Sequence, residues 1–138
     1  MVLVDTTIWS LALRRRRRNL SAPERRIVEE WVSLVREGSA ALVGPVRQEI
    51  LSGVRDAVVF SRLQGQLSAF AHLPILPRDY DQAAAFYNTC RAAGITGAPV
   101  DMLLCAVAAR SRCPLFTTDR DFTRYSQHVP ITLFRVRP

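Results

Sequence analysis

A chain of 138 residues, 49% hydrophobic and 22% charged, is long enough for one domain with one core and too apolar for a disordered segment. Its net charge of +7 and pI near 10.6 point to a polyanionic partner, either nucleic acid or an acidic protein. Every basic residue is an arginine, which grips phosphate through a planar fork, although a uniform arginine bias also fits the coding composition of a genome. The longest uncharged run, residues 63–77, is too short and too broken by proline to span a bilayer. The N-terminus meets Asp5 before any signal-peptide pattern develops. Three cysteines without a paired spacing, Cys90, Cys105 and Cys113, fit small buried hydrophobes and a reducing cytoplasm.

In chain order, Val2–Val4 reads as a strand buried on both faces that ends on Asp5, with Thr6 and Thr7 opening a helix. The basic run Arg14, Arg15, Arg16, Arg17 and Arg18 follows. Ser21-Ala-Pro-Glu24 is a capping box, and Ile27, Val28, Trp31, Leu34 and Val35 form the apolar stripe of the helix it starts, which Gly38 stops. Ala41–Val43 predicts a second strand. A helix from Pro45 places Val46, Glu49, Ile50 and Gly53 on one side, and a weakly periodic one runs from Asp56 to about Phe70. Leu73–Leu76 predicts a third strand. A helix opens at Asp79, carries Ala83, Phe86, Tyr87, Cys90 and Ala93, and ends at Gly94. Residues 100–109 are apolar on every side except at Asp101, as expected of a central helix. Leu115–Phe116 runs into Thr117-Thr118-Asp119, and Ile131–Phe134 predicts a last strand. Strands alternating with helices imply right-handed crossovers. The expected fold is a single-domain, three-layer α/β sandwich over residues 1–138. Its central sheet is mostly parallel, with four or five strands flanked by helices.

The acids carry the chemistry. Asp5 and Asp119 each end a buried strand, and in an open parallel sheet such positions meet in one crevice. Asp5 is also a natural helix cap. Glu49 is expected on an inward face, where an unpartnered carboxylate is expensive and calls for a cation or a hydrogen-bond network. Asp101 opens the most apolar helix, where the helix dipole alone would favour an acid. Asp119 and Asp121 form a D-x-D pair behind the Thr117 hydroxyl. Four carboxylates drawn together repel one another unless a hard divalent ion relieves them, and an all-oxygen donor set suits Mg2+ or Mn2+ rather than zinc. His72 and His128 lack ligand spacing and read as structural. No phosphate-binding loop, dinucleotide fingerprint or nucleophile elbow is present. A metal held by acids on a basic protein suits phosphodiester chemistry.

Four segments, V-L-V-D-T-T at 2–7, V-R-Q-E-I-L-S-G at 46–53, P-V-D-M-L-L-C-A-V-A at 99–108 and L-F-T-T-D-R-D-F at 115–122, resemble the PIN-domain ribonucleases over essentially the whole chain. The VapC-type toxins of bacterial toxin–antitoxin pairs are the most similar. The resemblance implies that Asp5, Glu49, Asp101 and Asp119 form a catalytic, metal-holding quartet. Asp121 looks like an auxiliary acid and Thr117 like a hydroxyl that orients a ligand or water. It implies Mg2+- or Mn2+-dependent cleavage of RNA by an activated water, leaving a 5′-phosphate and a 3′-hydroxyl. It implies a homodimer silenced by a VapB-like antitoxin whose C-terminal segment lies over the cleft. The Arg14–Arg18 run is longer and more basic than that pattern and suits either RNA contact or a solvated loop. Two alternatives keep the fold: a catalytically idle RNA-binding or scaffold module, and an RNA-maturation nuclease without an antitoxin.

Overall fold

Aliphatic side chains in unbroken succession make the inner strands, and all of Val2–Val4 and Ala40–Leu42 are buried. The computed structural model describes residues 1–14 and 16–138; Arg15 and the Arg17 side chain, part of the basic run, lie outside the described residues. Strand β1 (Val2–Val4) leads into α1 (Thr6–Leu13), a 3-10 turn at Arg17–Asn19 and α2 (Ala22–Arg36). Then come β2 (Ala40–Leu42), α3 (Gly44–Leu51), α4 (Ala57–Ser68) and β3 (Ala71–His72). The chain closes with α5 (Pro77–Ala92), α6 (Pro99–Ser111), β4 (Leu115–Phe116) and α7 (Asp121–Tyr125).

The sheet is wholly parallel in the order β3-β2-β1-β4, with Leu3 opposite both Ala41 and Leu115. The chain therefore steps outward from β1 to β2 to β3, then returns to place β4 on the other side of β1. That reversal opens a crevice beyond the carboxyl ends of β1 and β4. Helix α6 behaves as its composition requires, with Met102–Ala108 buried without a gap. The Ser21–Glu24 capping box is present in both directions. Trp9 packs edge-on against Trp31 and Phe70, at 5.5 and 4.8 Å between ring centres, and its indole N–H donates to the Val4 carbonyl at 3.0 Å. This bond pins α1 to the strand end that precedes Asp5. No helix among the described residues is long and apolar enough to cross a membrane, and all three cysteines are buried and unpaired.

Several boundaries differ from expectation. Strand β2 begins at Ala40, and Val43 instead forms the N-cap of α3. The third strand lies at Ala71–His72 rather than Leu73–Leu76. Leu73 N–H still reaches the Leu42 carbonyl at 2.9 Å, but Pro74 has no donor to continue the ladder, and Leu76 N–H is claimed by the Asp79 carboxylate at 2.7 Å. The last strand is reduced to one parallel bridge between Leu115 and Leu133, with Phe134 N–H on the Leu115 carbonyl at 2.7 Å. Four strands result among the described residues, within the expected four or five.

Candidate active site

Asp5 leaves β1 in an extended conformation at the N-cap of α1, but its side chain makes no capping bond. Its Oδ2 instead accepts hydrogen bonds from Thr117 Oγ1 at 2.8 Å and Thr7 Oγ1 at 3.1 Å. Thr117 Oγ1 in turn accepts the Asp119 N–H at 3.0 Å, and Thr7 Oγ1 accepts the Thr118 N–H at 3.1 Å. Two threonine hydroxyls thus knit the end of β1 to the loop after β4. Asp5 is 8% exposed, and burial pushes its carboxyl up. The Thr117 hydroxyl, the Thr6 backbone and Thr7 pull it back down, while the charge of Glu49 adds to the rise.

Asp101 lies in the first turn of α6, again without a capping bond from the residue at the N-cap. Its Oδ2 accepts the Tyr125 hydroxyl at 3.1 Å. Burial, with the charges of Asp5, Asp119 and Asp121, pushes its carboxyl up to about 6 against the pull of Tyr125. Asp119 is partly buried, and its Oδ1 accepts the Asp121 N–H at 2.9 Å.

Glu49 departs from expectation. Val46 and Ile50 are buried, but Glu49 is exposed. Placed between them on an eight-residue helix, it falls on the flank of the buried face and projects over the mouth of the crevice. Its Oε2 accepts the Thr6 hydroxyl at 2.9 Å, so it carries no unmet burial cost. Glu49 is thus neither buried nor unpartnered, yet it shares the cleft with the other three acids. Asp5, Glu49, Asp101 and Asp119 all line one cleft of about 650 Å3, with Leu11, Ile27 and Val100 as its apolar wall. Asp121 is not among the lining residues and is paired with Arg124. His72 is exposed outside the cleft, its Nδ1 donating to the Phe70 carbonyl and its Nε2 accepting from Arg47, each at 2.9 Å.

Each of the four carboxylates has one oxygen engaged by a donor of the protein: Oδ2 of Asp5 and Asp101, Oδ1 of Asp119, Oε2 of Glu49. None of the four forms an ion pair among the described residues. In chemical kind this donor set fits a hard divalent cation. Among the described residues, however, no three such side chains close into a compact ligand group. The site is an open cleft rather than a cage. This matches how Mg2+ is ordinarily held, through one or two carboxylates with waters and substrate phosphate completing its shell.

Sequence reasoning misses several contributors. Thr6 and Thr7 read there only as a helix start, and Glu24, half of a capping box, also lines the cleft. Tyr125 gives no signal, because an aromatic three residues after Phe122 on a short helix reads as core.

No curated protein matches the sequence. Solved structures that share the fold include FitAcB from Neisseria gonorrhoeae, 19% identical, covering 98% of this chain and 97% of that one with a TM-score of 0.71. FitAB bound to a DNA fragment is 21% identical over 97% of this chain and 94% of that one, with a TM-score of 0.75. VapBC2 from Rickettsia felis, bound to a promoter DNA fragment, is 16% identical over 97% and 98%, with a TM-score of 0.74. The pattern of the PIN domain itself matches residues 2–127, nearly the full length. With the parallel sheet, the switch-point crevice and its acids in place, the chain belongs to the PIN-domain family.

Proposed function

We propose that this protein is a metal-dependent endoribonuclease of the VapC toxin type, cleaving RNA in the cleft between β1 and β4. The observation that carries this reading is the gathering of Asp5, Glu49, Asp101 and Asp119 in one cleft with no ion pair to any of them among the described residues, in a chain of net charge +7. Carboxylates arranged at this electrostatic cost are useful where positive charge arrives from outside the chain. A bound Mg2+ or Mn2+ would supply charge against the scissile phosphate and the leaving oxygen. One or two of Asp5, Asp101 and Asp119 would hold it at a time, with waters and the RNA phosphate completing its shell and Glu49 at the rim. The threonines keep Asp5 in place, and Leu11 and Ile27 give the cleft an apolar side next to it. A water that attacks phosphorus gives up a proton, which a cleft carboxylate outside the metal's shell would accept. Hydrolysis of this kind leaves a 5′-phosphate and a 3′-hydroxyl.

Exposed arginines, among them Arg14, Arg16 and Arg18, suit contact with the RNA backbone. The toxin reading, with a VapB-like antitoxin, draws support from the structural neighbours: FitAB and VapBC2 were each solved bound to DNA, and a further one is a toxin–antitoxin complex from Klebsiella pneumoniae. A homodimer is part of the same proposal.

The test is cleavage of RNA by purified protein with Mn2+. Asp5→Asn and Asp119→Asn should each lower the rate at least about a hundredfold, the size of several kcal/mol of lost transition-state stabilisation, with the fold retained. Unchanged cleavage in both variants would remove the site from the reaction. Chelator-insensitive RNA binding with no cut products would favour an idle binding module instead. A short DNA-binding protein encoded next to the gene would favour the toxin over a maturation nuclease.

A further inference from the structure

Asp101 stands apart from the strand ends on α6, and its one side-chain hydrogen bond comes from Tyr125. Tyr125 is only 2% exposed and its ring packs edge-on to Phe122 at 5.3 Å. Phenylalanine would fill the same space without a hydroxyl to satisfy, so the phenol oxygen adds nothing to packing and needs the partner it has. The Tyr125–Asp101 bond is also the only hydrogen bond between α6 and α7 among the described residues. At the other end of α7, the Asp121 N–H holds Asp119 Oδ1 at 2.9 Å. Five residues of helix therefore touch one cleft acid with their first member and another with their last.

We propose that Tyr125 is a positioning residue for the cation site, fixing the Asp101 carboxylate relative to Asp119 through α7 and leaving Oδ1 of Asp101 as its ligand atom. The proposal rests on the metal-nuclease reading given above. Removing a donor that orients a ligating carboxylate typically costs about 10–100-fold in metal affinity or activity.

The experiment titrates the full-length, metal-free protein with Mn2+ alone, by calorimetry or by electron paramagnetic resonance of the free ion. Tyr125→Phe keeps the ring and should weaken Mn2+ binding about tenfold. In RNA cleavage the same variant should lose kcat at limiting Mn2+, recover it at high Mn2+, and keep KM for RNA. Phe122→Leu loosens the packing of α7 but spares the hydroxyl; it should lower Tm and leave Mn2+ affinity as in the wild type. Wild-type Mn2+ affinity in Tyr125→Phe overturns the proposal, as does an equal loss in Phe122→Leu, which would make packing the cause. If the wild-type chain neither binds Mn2+ nor cuts RNA, the metal-nuclease reading itself falls and takes this proposal with it.

Discussion

Asp101 is a residue whose charge works against the fold. Its carboxyl is held at about 6 against an ordinary 3.8, so the folded protein keeps a proton there that the unfolded chain releases. Below about pH 4 both states are protonated and nothing is lost. Between about 4 and 6 the unfolded state deprotonates first and stability falls as pH rises; above about 6 the deficit is constant. Asp101→Asn keeps an acceptor for Tyr125 and removes that penalty. At pH 7 the metal-free variant should be more stable by about 1 kcal/mol once screening at this half-exposed group is allowed for, or about 4 °C in Tm. Mn2+ should then raise the Tm of the wild type and do little for the variant. A lower Tm for metal-free Asp101→Asn would mean that the carboxylate helps hold the fold together. The same titration shapes metal binding: at limiting Mn2+, cleavage should rise with pH through about 6 as the ion displaces the Asp101 proton, and saturating Mn2+ should flatten that rise; a flat profile at limiting Mn2+ would exclude Asp101 as a ligand.

Between elements, the pairing of α5 with α6 is closed by Asp79, 1% exposed, which accepts Leu76 N–H at 2.7 Å and Arg110 Nε at 2.7 Å while Arg110 Nη2 reaches the Pro74 carbonyl at 2.7 Å. Burial alone would push the Asp79 carboxyl up, but the Arg110 guanidinium and the Leu76 N–H outweigh it and hold it low. Its contribution is therefore complete above the ordinary value of 3.8 and lost as pH falls towards the lower, folded one. Asp79→Ala should cost about 3 kcal/mol in urea unfolding at pH 7, since it removes a cap and strands Arg110, and the gap should narrow below about pH 4. A loss under about 0.5 kcal/mol would make the cluster ornamental. Elements whose signals are local were legible in the sequence: the Ser21–Glu24 box, the all-apolar α6, and the two strands that end on Asp5 and Thr117-Thr118-Asp119. Those decided by competition for backbone donors were not. The apolar run at 73–76 looks like a strand until Pro74 and the Asp79 cap remove two of its N–H groups from the ladder. Likewise Val46 and Ile50 could not phase a helix as short as α3 well enough to show Glu49 on its flank, and Tyr125 showed its second partner only once α6 and α7 were side by side.

For the whole molecule, charge is divided by place: the arginines lie mostly outside, while five of the twelve acids line the one cleft. Arg14, Arg16 and Arg18 are exposed beyond the end of α1, whose residues Thr6, Thr7 and Ser10 line that cleft. Replacing these three by serine should weaken RNA binding at low salt and flatten the dependence of log affinity on log salt by about 2, near 0.7 for each phosphate left without its arginine. An unchanged slope would leave the run as a solvated loop. The division has a further consequence. A phosphodiester drawn to the cationic exterior meets repulsion at the anionic mouth, which an incoming cation removes, while the phosphate in turn offers that cation oxygens the open cleft does not. Each guest must then strengthen the other by the same factor, whichever enters first. A dissociation constant for Mn2+ measured on the protein alone would understate its hold during turnover, and RNA retention would in turn report on how much ion is present.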